Sequence, residues 1–388
     1  MLVTAHLTAP RVALATRVAR PRPGRVSRIG PPPPRAVPPP REAVRLPRGV
    51  AARAAEGAGV KAFEEPAWAV EGSEEGFYEW KHGFKVHWER CGDEGPAVVL
   101  VPGFGVGTFH YERVAAELAG SHRVFAVDLL GQGQSWPPES PREGEELCYS
   151  VDLWVEQLAD FIQRVVGGPA YMCGNSLGGL LSVQAAAAHP DLVQGVVLLN
   201  ATPFWAFTPN RESSPRLASL MPWDGRAPAP APLKAVVGKL WWDSLRRPDS
   251  IRRILGLVYA AGPEAVDDAL VGRIIQPTQH PRALEAFASI AFAPKPALTF
   301  DEALAAVGCP ICLLYGKEDP WVVPLWGQRA KRIAPAATYY EISPSGHCPH
   351  HETPEAVAVV LSGWVASVEG GGAPPLHATG GMPLGEGA

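Results

Sequence analysis

Short apolar runs recur along this chain, each followed by a loop and then by a stretch with helical periodicity. The runs Ala97–Val101, Val124–Val127, Ala170–Cys173, Val193–Leu199, Ile311–Tyr315 and Thr338–Ile342 are brief and bounded by turn residues, which reads as strands buried on both faces. Helical spacing falls near 151–166, 177–188, 324–333 and 354–367. Strands alternating with helices predict an α/β fold, a mostly parallel central sheet with helices on both faces. A hairpin precedes it, with arms Phe77–Trp80 and Phe84–Trp88 and a turn at Lys81-His82-Gly83.

The alternation stops at about Thr202 and resumes at about Asp301, and the stretch between is rich in Trp, Pro and short helical pieces. An insertion after a strand of such a sheet lies over its C-terminal edge, where ligands bind, and forms a helical cap. The expected organisation is a core over 76–201 and 301–368 with a cap insertion over 202–300. Residues 1–41 lack Asp and Glu but carry Arg11, Arg17, Arg20, Arg22, Arg25, Arg28, Arg35 and Arg41, with proline runs between them. That composition suggests an organelle transit peptide over 1–50, with a linker over 51–75, and a disordered basic tail has the same signature. The Gly- and Pro-rich stretch 369–388 reads as a disordered tail.

With 388 residues and 46% hydrophobic composition the chain can bury an enzyme core without disulfides or metals. A formal net charge of −4 argues against nucleic acid as a partner. The cysteines are scattered, most of them inside apolar runs where a thiol behaves as a small hydrophobe. Cys309-Pro310-Ile311-Cys312 has redox-motif spacing but begins a strand instead of opening a helix. The longest apolar stretch, Val193 to Phe207, is interrupted by Asn200, Thr202 and Pro203 and falls short of a spanning helix.

Gly174-Asn175-Ser176-Leu177-Gly178 is a G-x-S-x-G sequence between a strand and a helix. In that context the serine sits on a sharp elbow, and side chains at 174 and 178 would collide with neighbouring backbone. A serine hydroxyl needs a base, and the base needs an acid to hold its tautomer. This points to the α/β-hydrolase fold, in which both partners follow the serine. Asp319 lies just past a strand end in Gly316-Lys317-Glu318-Asp319-Pro320, and His347 lies in the loop after the last strand. Alternation along the exit from the strand favours Asp319 over its neighbour Glu318, and adjacency leaves Glu318 open. Asn200 occupies the strand end where some relatives keep their acid, a task an amide cannot perform.

An oxyanion hole would draw on the backbone amides of Leu177 and Phe104, the latter in the loop Pro102-Gly103-Phe104-Gly105. The D-x-x-G-x-G-x-S loop, Asp128 to Ser135, more often ties itself together than performs chemistry. His350 and His351 sit near His347, but no Cys or carboxylate completes a metal site, so no metal is expected and both read as surface polar residues. An aspartate in place of Ser176 would be needed for haloalkane or epoxide chemistry.

Several stretches carry a more specific resemblance. Pro102 to Gly107 with Phe109-His110-Tyr111, Gly174 to Gly179, Leu199 to Trp205, Gln279-His280-Pro281, Phe287 to Ile290, Glu318 to Trp321 and Ser345 to His350 together resemble the plant and algal pheophytinase family. The resemblance spans about 76–367, and the link 137–147 departs from it. It implies a serine esterase that removes the phytyl tail from pheophytin in chlorophyll breakdown. It also implies no cofactor, a location in the chloroplast stroma, and transient association with the thylakoid membrane or with other enzymes of that breakdown. Phe204, Trp205, Phe287 and Trp321 are the expected substrate-binding residues, and Trp223, Trp241, Trp242 and Phe292 could join them in an apolar cleft. Alternatives are a chlorophyll dephytylase, a general lipophilic carboxylesterase, and a hydrolase-fold receptor for small molecules.

Overall fold

The computed structural model describes residues 68–137, 149–203, 238, 242–370, 372 and 374. All of them belong to the unit Glu42–Ala388. The expected transit segment, most of the linker and tail, and the aromatic positions Phe204, Trp205, Trp223 and Trp241 lie outside the described residues.

The hairpin forms as expected. Strand β1 (Glu74–Glu79) pairs antiparallel with β2 (Lys85–Cys91) around a 3-10 turn at Lys81–Gly83. Then come β3 (Ala97–Val101), β4 (Arg123–Val127), β5 (Ala170–Asn175), β6 (Val193–Leu199), β7 (Ile311–Gly316) and β8 (Thr338–Ile342). The eight strands form one sheet in the order β1-β2-β4-β3-β5-β6-β7-β8, parallel from β4 to β8. Every residue of β3 is buried, as an internal strand covered on both faces requires.

The covering helices divide between two core clusters. On one face α2 (Val151–Phe161) and α3 (Leu177–Ala188) contribute Trp154, Leu158, Leu180 and Leu181. On the other, α1 (Glu112–Leu118) and the C-terminal helix contribute Leu118, Val357, Leu361 and Trp364. Helix α2 begins where the Ser150 hydroxyl accepts the Leu153 amide at 3.1 Å, a side-chain N-cap. The helix expected over 151–166 passes into a π turn at Ile162–Val166 and stops at Gly167 with φ +81°. Helix α3 is buried on nearly all sides, because the sequence LGGLLSVQAAAA offers no polar face to water.

The interruption of the alternation falls between β6 and β7. Its described part includes α4 (Pro248–Val258), α5 (Asp268–Ile275) and α6 (Ala283–Ala291), with 3-10 turns at Gly262–Ala265 and Gln276–Gln279, before α7 (Phe300–Ala306) returns the chain to the core. Thr299 and Glu302 form a capping box that starts α7. After β7, α8 (Pro324–Ile333) leads to β8, and the short α9 (Pro349–Glu352) and long α10 (Pro354–Gly370) close the chain.

Candidate active site

Ser176 stands between β5 and α3 with φ +53°, a left-handed backbone that a serine adopts only under constraint. The constraint is visible on both sides. A Cβ at Gly174 would lie 2.2 Å from the Gly178 carbonyl oxygen, and one at Gly178 would lie 2.0 Å from that of Val101. Glycine at both positions lets the chain turn this tightly. The Ser176 amide donates to Leu199 at 3.0 Å and its carbonyl accepts from Thr202 at 3.1 Å, so the strand next door grips the elbow.

His347 follows β8, and its Nδ1 lies 2.6 Å from Asp319 Oδ2. Asp319 is 2% exposed. Its Oδ1 accepts the amides of Trp321 (2.7 Å) and Val322 (3.1 Å), and Oδ2 also accepts Asn200 Nδ2 at 2.8 Å. Burial raises the carboxyl, but His347 and the two amides outweigh it, so it sits below its ordinary value. Glu318, the rival acid, turns elsewhere: its carboxylate accepts Ser343 Oγ at 2.6 Å and the Ser345 amide at 2.8 Å. It fastens the start of the histidine loop.

Asn200 was the missing acid position, and the structure gives it a different task. With φ +43°, it accepts the Gly316 amide on Oδ1 at 2.9 Å while its Nδ2 reaches Asp319. The amide thereby locks the ends of β6 and β7 and orients the carboxylate. Asn175 does the same for the histidine, donating Nδ2 to the His347 carbonyl at 2.8 Å and to that of Leu199 at 3.1 Å.

The loop after β3 passes close to the serine. A Cβ on Gly103 would lie 3.5 Å from Ser176 Cβ, and Gly105 takes φ +78°. The Gly105 amide donates to Gln132 Oε1 at 2.6 Å, tying this loop to the D-x-x-G-x-G-x-S segment. Asp128 in that segment is a tie, as expected: it accepts the amides of Thr108 (2.7 Å) and Gln134 (2.8 Å). Its partner His87 had no signal in the sequence. The two side chains are fully buried with Nδ1 2.8 Å from Oδ2. Burial pulls His87 down, yet the hydrogen bond to Asp128 and the nearby carboxylate of Glu75, 3.8 Å away, lift it to about 10. Glu89 beside them is pushed up to about 7 by burial.

The reading of His350 and His351 as surface residues is overturned: they are 0% and 7% exposed. They belong to a cluster with His110 and Tyr259. His350 Nε2 lies 2.9 Å from His110 Nδ1, His110 Nε2 lies 3.0 Å from Tyr259 Oη, and Tyr259 Oη lies 3.3 Å from His351 Nδ1. His350 Nδ1 has no partner. If that atom is the bare lone pair, each of the three bonds has its one donor proton, running from His350 to His110 to Tyr259 to His351. Burial pushes all three imidazoles down, His351 to about 4, so they are neutral at pH 7. The uncharged, stacked rings explain how histidines occur at a site flanked by apolar side chains.

These features surround a cavity of about 670 Å³ lined by Ser176, His347, Gly103, Phe104 and Gln132 from the core and by residues of α4, α5 and α6. Two of the expected substrate contacts, Phe287 and Trp321, line it, as does Trp242. Phe292 is 3% exposed and is not part of the cavity lining. The cap is also bonded to the histidine loop: the His347 amide donates to the Val258 carbonyl at 2.8 Å, and Glu352 accepts the Ala260 amide at 2.6 Å. Cys309 and Cys312 are free thiols raised by burial, and Cys312 lies inside β7.

Comparison with known proteins agrees with this architecture. The chloroplastic pheophytinase of Arabidopsis thaliana is 45% identical over 324 residues, covering 76% of this chain, and the chain spans 66% of that relative's length. A pimeloyl-[acyl-carrier protein] methyl ester esterase of Chromobacterium violaceum is 30% identical, covering 66% of this chain and 89% of that one. The crystal structure of an enol-lactonase from Burkholderia xenovorans superposes with a TM-score of 0.54 at 21% identity, covering 72% of this chain and 96% of that one, a likeness of fold. Residues 98–360 match the alpha/beta hydrolase family model. With the elbow serine, the sheet order and that match in agreement, this chain belongs to the alpha/beta hydrolase family.

Proposed function

We propose that this protein is a serine carboxylic-ester hydrolase that removes the phytyl tail from pheophytin, giving pheophorbide and phytol in chlorophyll breakdown. The observation that carries the reading is the meeting, on one apolar cavity wall, of a serine on a left-handed elbow and a histidine whose Nδ1 is held by a buried carboxylate. Asp319 fixes His347 with Nε2 turned away from the carboxylate, the atom that takes the proton from Ser176 Oγ. The hydroxyl adds to the ester carbonyl, and the backbone amides of Leu177 and Phe104 receive the oxyanion. The Leu177 amide is the first of α3 and has no acceptor within its own helix. Each such donor is worth about 3 kcal/mol in the transition state. Collapse of the adduct leaves the acyl group on Ser176 and expels the alcohol, which His347 protonates. Water, deprotonated by His347, then releases the acid.

The substrate assignment is supported by the 45% identity to a pheophytinase and by a cavity wall of aliphatic and aromatic side chains. Residence in the chloroplast accords with the basic, acid-free segment 1–41 and with that relative's name, and the stroma is the compartment proposed within it. Among the described residues no helix is long and apolar enough to cross a membrane. In this reading the protein makes transient contact with the thylakoid surface, from which so apolar a substrate is drawn, or with other enzymes of chlorophyll breakdown. Incubating the purified protein with pheophytin and with chlorophyll side by side, then separating the pigments, tests it. Pheophytin is dephytylated preferentially; equal turnover of both would make the enzyme a general dephytylase.

A further inference from the structure

The chemistry imposes a direction on the cavity. An ester placed for attack by Ser176 turns its carbonyl oxygen to the amides of Phe104 and Leu177 and its alcohol oxygen to His347, which must protonate it. The alcohol part therefore leaves the reaction centre on the His347 side, and the acyl part takes the remaining direction, which is assigned below to the side of Phe104.

The lining differs along these two exits. From Phe104 a series of ring contacts runs to Phe287, with centroids 5.8 Å apart, and from Phe287 to Trp242 at 5.2 Å. All three side chains face the cavity. From His347 the backbone amide reaches Val258 at 2.8 Å. Val258 ends a stripe of Ile251, Ile254, Leu255 and Val258 along α4, each in the cavity wall, with Ile274 of α5 beside it. The spacing i, i+3, i+4, i+7 places the stripe on one helix face. None of these side chains has a ring or a polar atom; a ring also lines the cavity beside His347, that of Trp321, with centroids 5.5 Å apart and the indole 54% exposed.

We propose that the cavity holds two specificity subsites. The ladder Phe104, Phe287 and Trp242 takes a planar conjugated acyl group, and the α4 stripe takes a long saturated alcohol chain. The assignment rests on the ester-hydrolase reading above and gives it a direction and named determinants. Ring faces offer stacking to a planar π-system. Branched aliphatic side chains pack a flexible methyl-branched chain through dispersion and burial, with no preferred face. Ile254, half-buried in the middle of the stripe, sets the room available to the chain, and Phe287 joins the other two rings of the ladder.

The test compares wild type, Ile254→Trp and Phe287→Leu on three esters: pheophytin, the methyl ester of the same ring acid at the same carboxyl, and phytyl acetate. The ratios of kcat/KM between esters are read, so the reference ester in each sample reports folded enzyme. Filling the stripe with Ile254→Trp lowers the phytyl-to-methyl ratio on the ring acid about tenfold. Phe287→Leu lowers pheophytin relative to phytyl acetate by about the same factor and does not move the phytyl-to-methyl ratio. If Ile254→Trp depresses both ring esters equally, or if Phe287→Leu moves the phytyl-to-methyl ratio, the division into subsites is overturned. A wild-type enzyme that cleaves phytyl acetate but neither ring ester overturns the substrate reading and the aromatic subsite with it. In that case Ile254→Trp, on phytyl acetate against ethyl acetate, still decides the aliphatic one.

Discussion

The side-chain amide of Asn175 donates to the backbone carbonyl of His347 at 2.8 Å. The residue before the elbow serine therefore holds the loop that carries the base, although 172 positions separate them in sequence. Nucleophile and base are registered to each other through the backbone, before any contact between their side chains.

Replacing Asn175 by Ala removes this bond and the one to Leu199, leaving the buried His347 carbonyl without its donor while that of Leu199 keeps the Ser176 amide. The expected cost is about 1–3 kcal/mol of stability for the group left unpaired. Turnover should fall by about tenfold or more, since small displacements of a base are magnified in rate. Thermal unfolding and kcat on a p-nitrophenyl ester measure both. A variant with native Tm and native kcat would mean that the bond positions nothing.

Asp319→Asn keeps the shape of the acid and allows the wrong histidine tautomer, so kcat should drop by about four decades. Asn200→Ala should have a milder effect of about tenfold, because Asp319 keeps its bonds to Trp321 and Val322 and loses only the one to Asn200. Steady-state kinetics rank the two, and a larger loss at Asn200 than at Asp319 would reverse their roles.

The His110–His350–His351 cluster fixes the sign of an acid limb in stability. Their folded values lie below the ordinary histidine value, so the unfolded chain binds more protons and stability falls as pH drops below about 6.5. His87 runs the other way: raised to about 10, it contributes stability that is complete below about pH 6.5 and is lost as pH rises through its folded value. Denaturant titrations at pH 5 to 7 should show His350→Phe with a shallower slope than wild type, by about 1 kcal/mol per pH unit on average and most at the acid end. Phenylalanine keeps a ring against Tyr111. An unchanged slope would contradict a neutral, buried His350.

Much of the fold and site was legible in the residues because the signals are local. Period and composition give β3, β4, β5, β6 and β7, since internal strands need no partner information to look apolar, and they give the edge strand β8 as well. The glycines at 174 and 178 announce the elbow through their own steric requirement. What stayed hidden depends on contacts distant in sequence. His350 looks polar until Tyr111 and His110 close over it, and His87 lies in a strand whose pattern says nothing of Asp128, 41 positions away. Asn200 could be excluded as an acid from its chemistry alone, but its work as the holder of Asp319 appears only when the ends of β6 and β7 are side by side.

The role of Ser176 as nucleophile stands or falls with pheophytin hydrolysis by wild type and Ser176→Ala, followed as pheophorbide and phytol released, with far-UV circular dichroism confirming that both are folded. Wild type should release both products, and the variant should lose about three decades of rate or more. A folded Ser176→Ala protein that dephytylates pheophytin at the wild-type rate would contradict it.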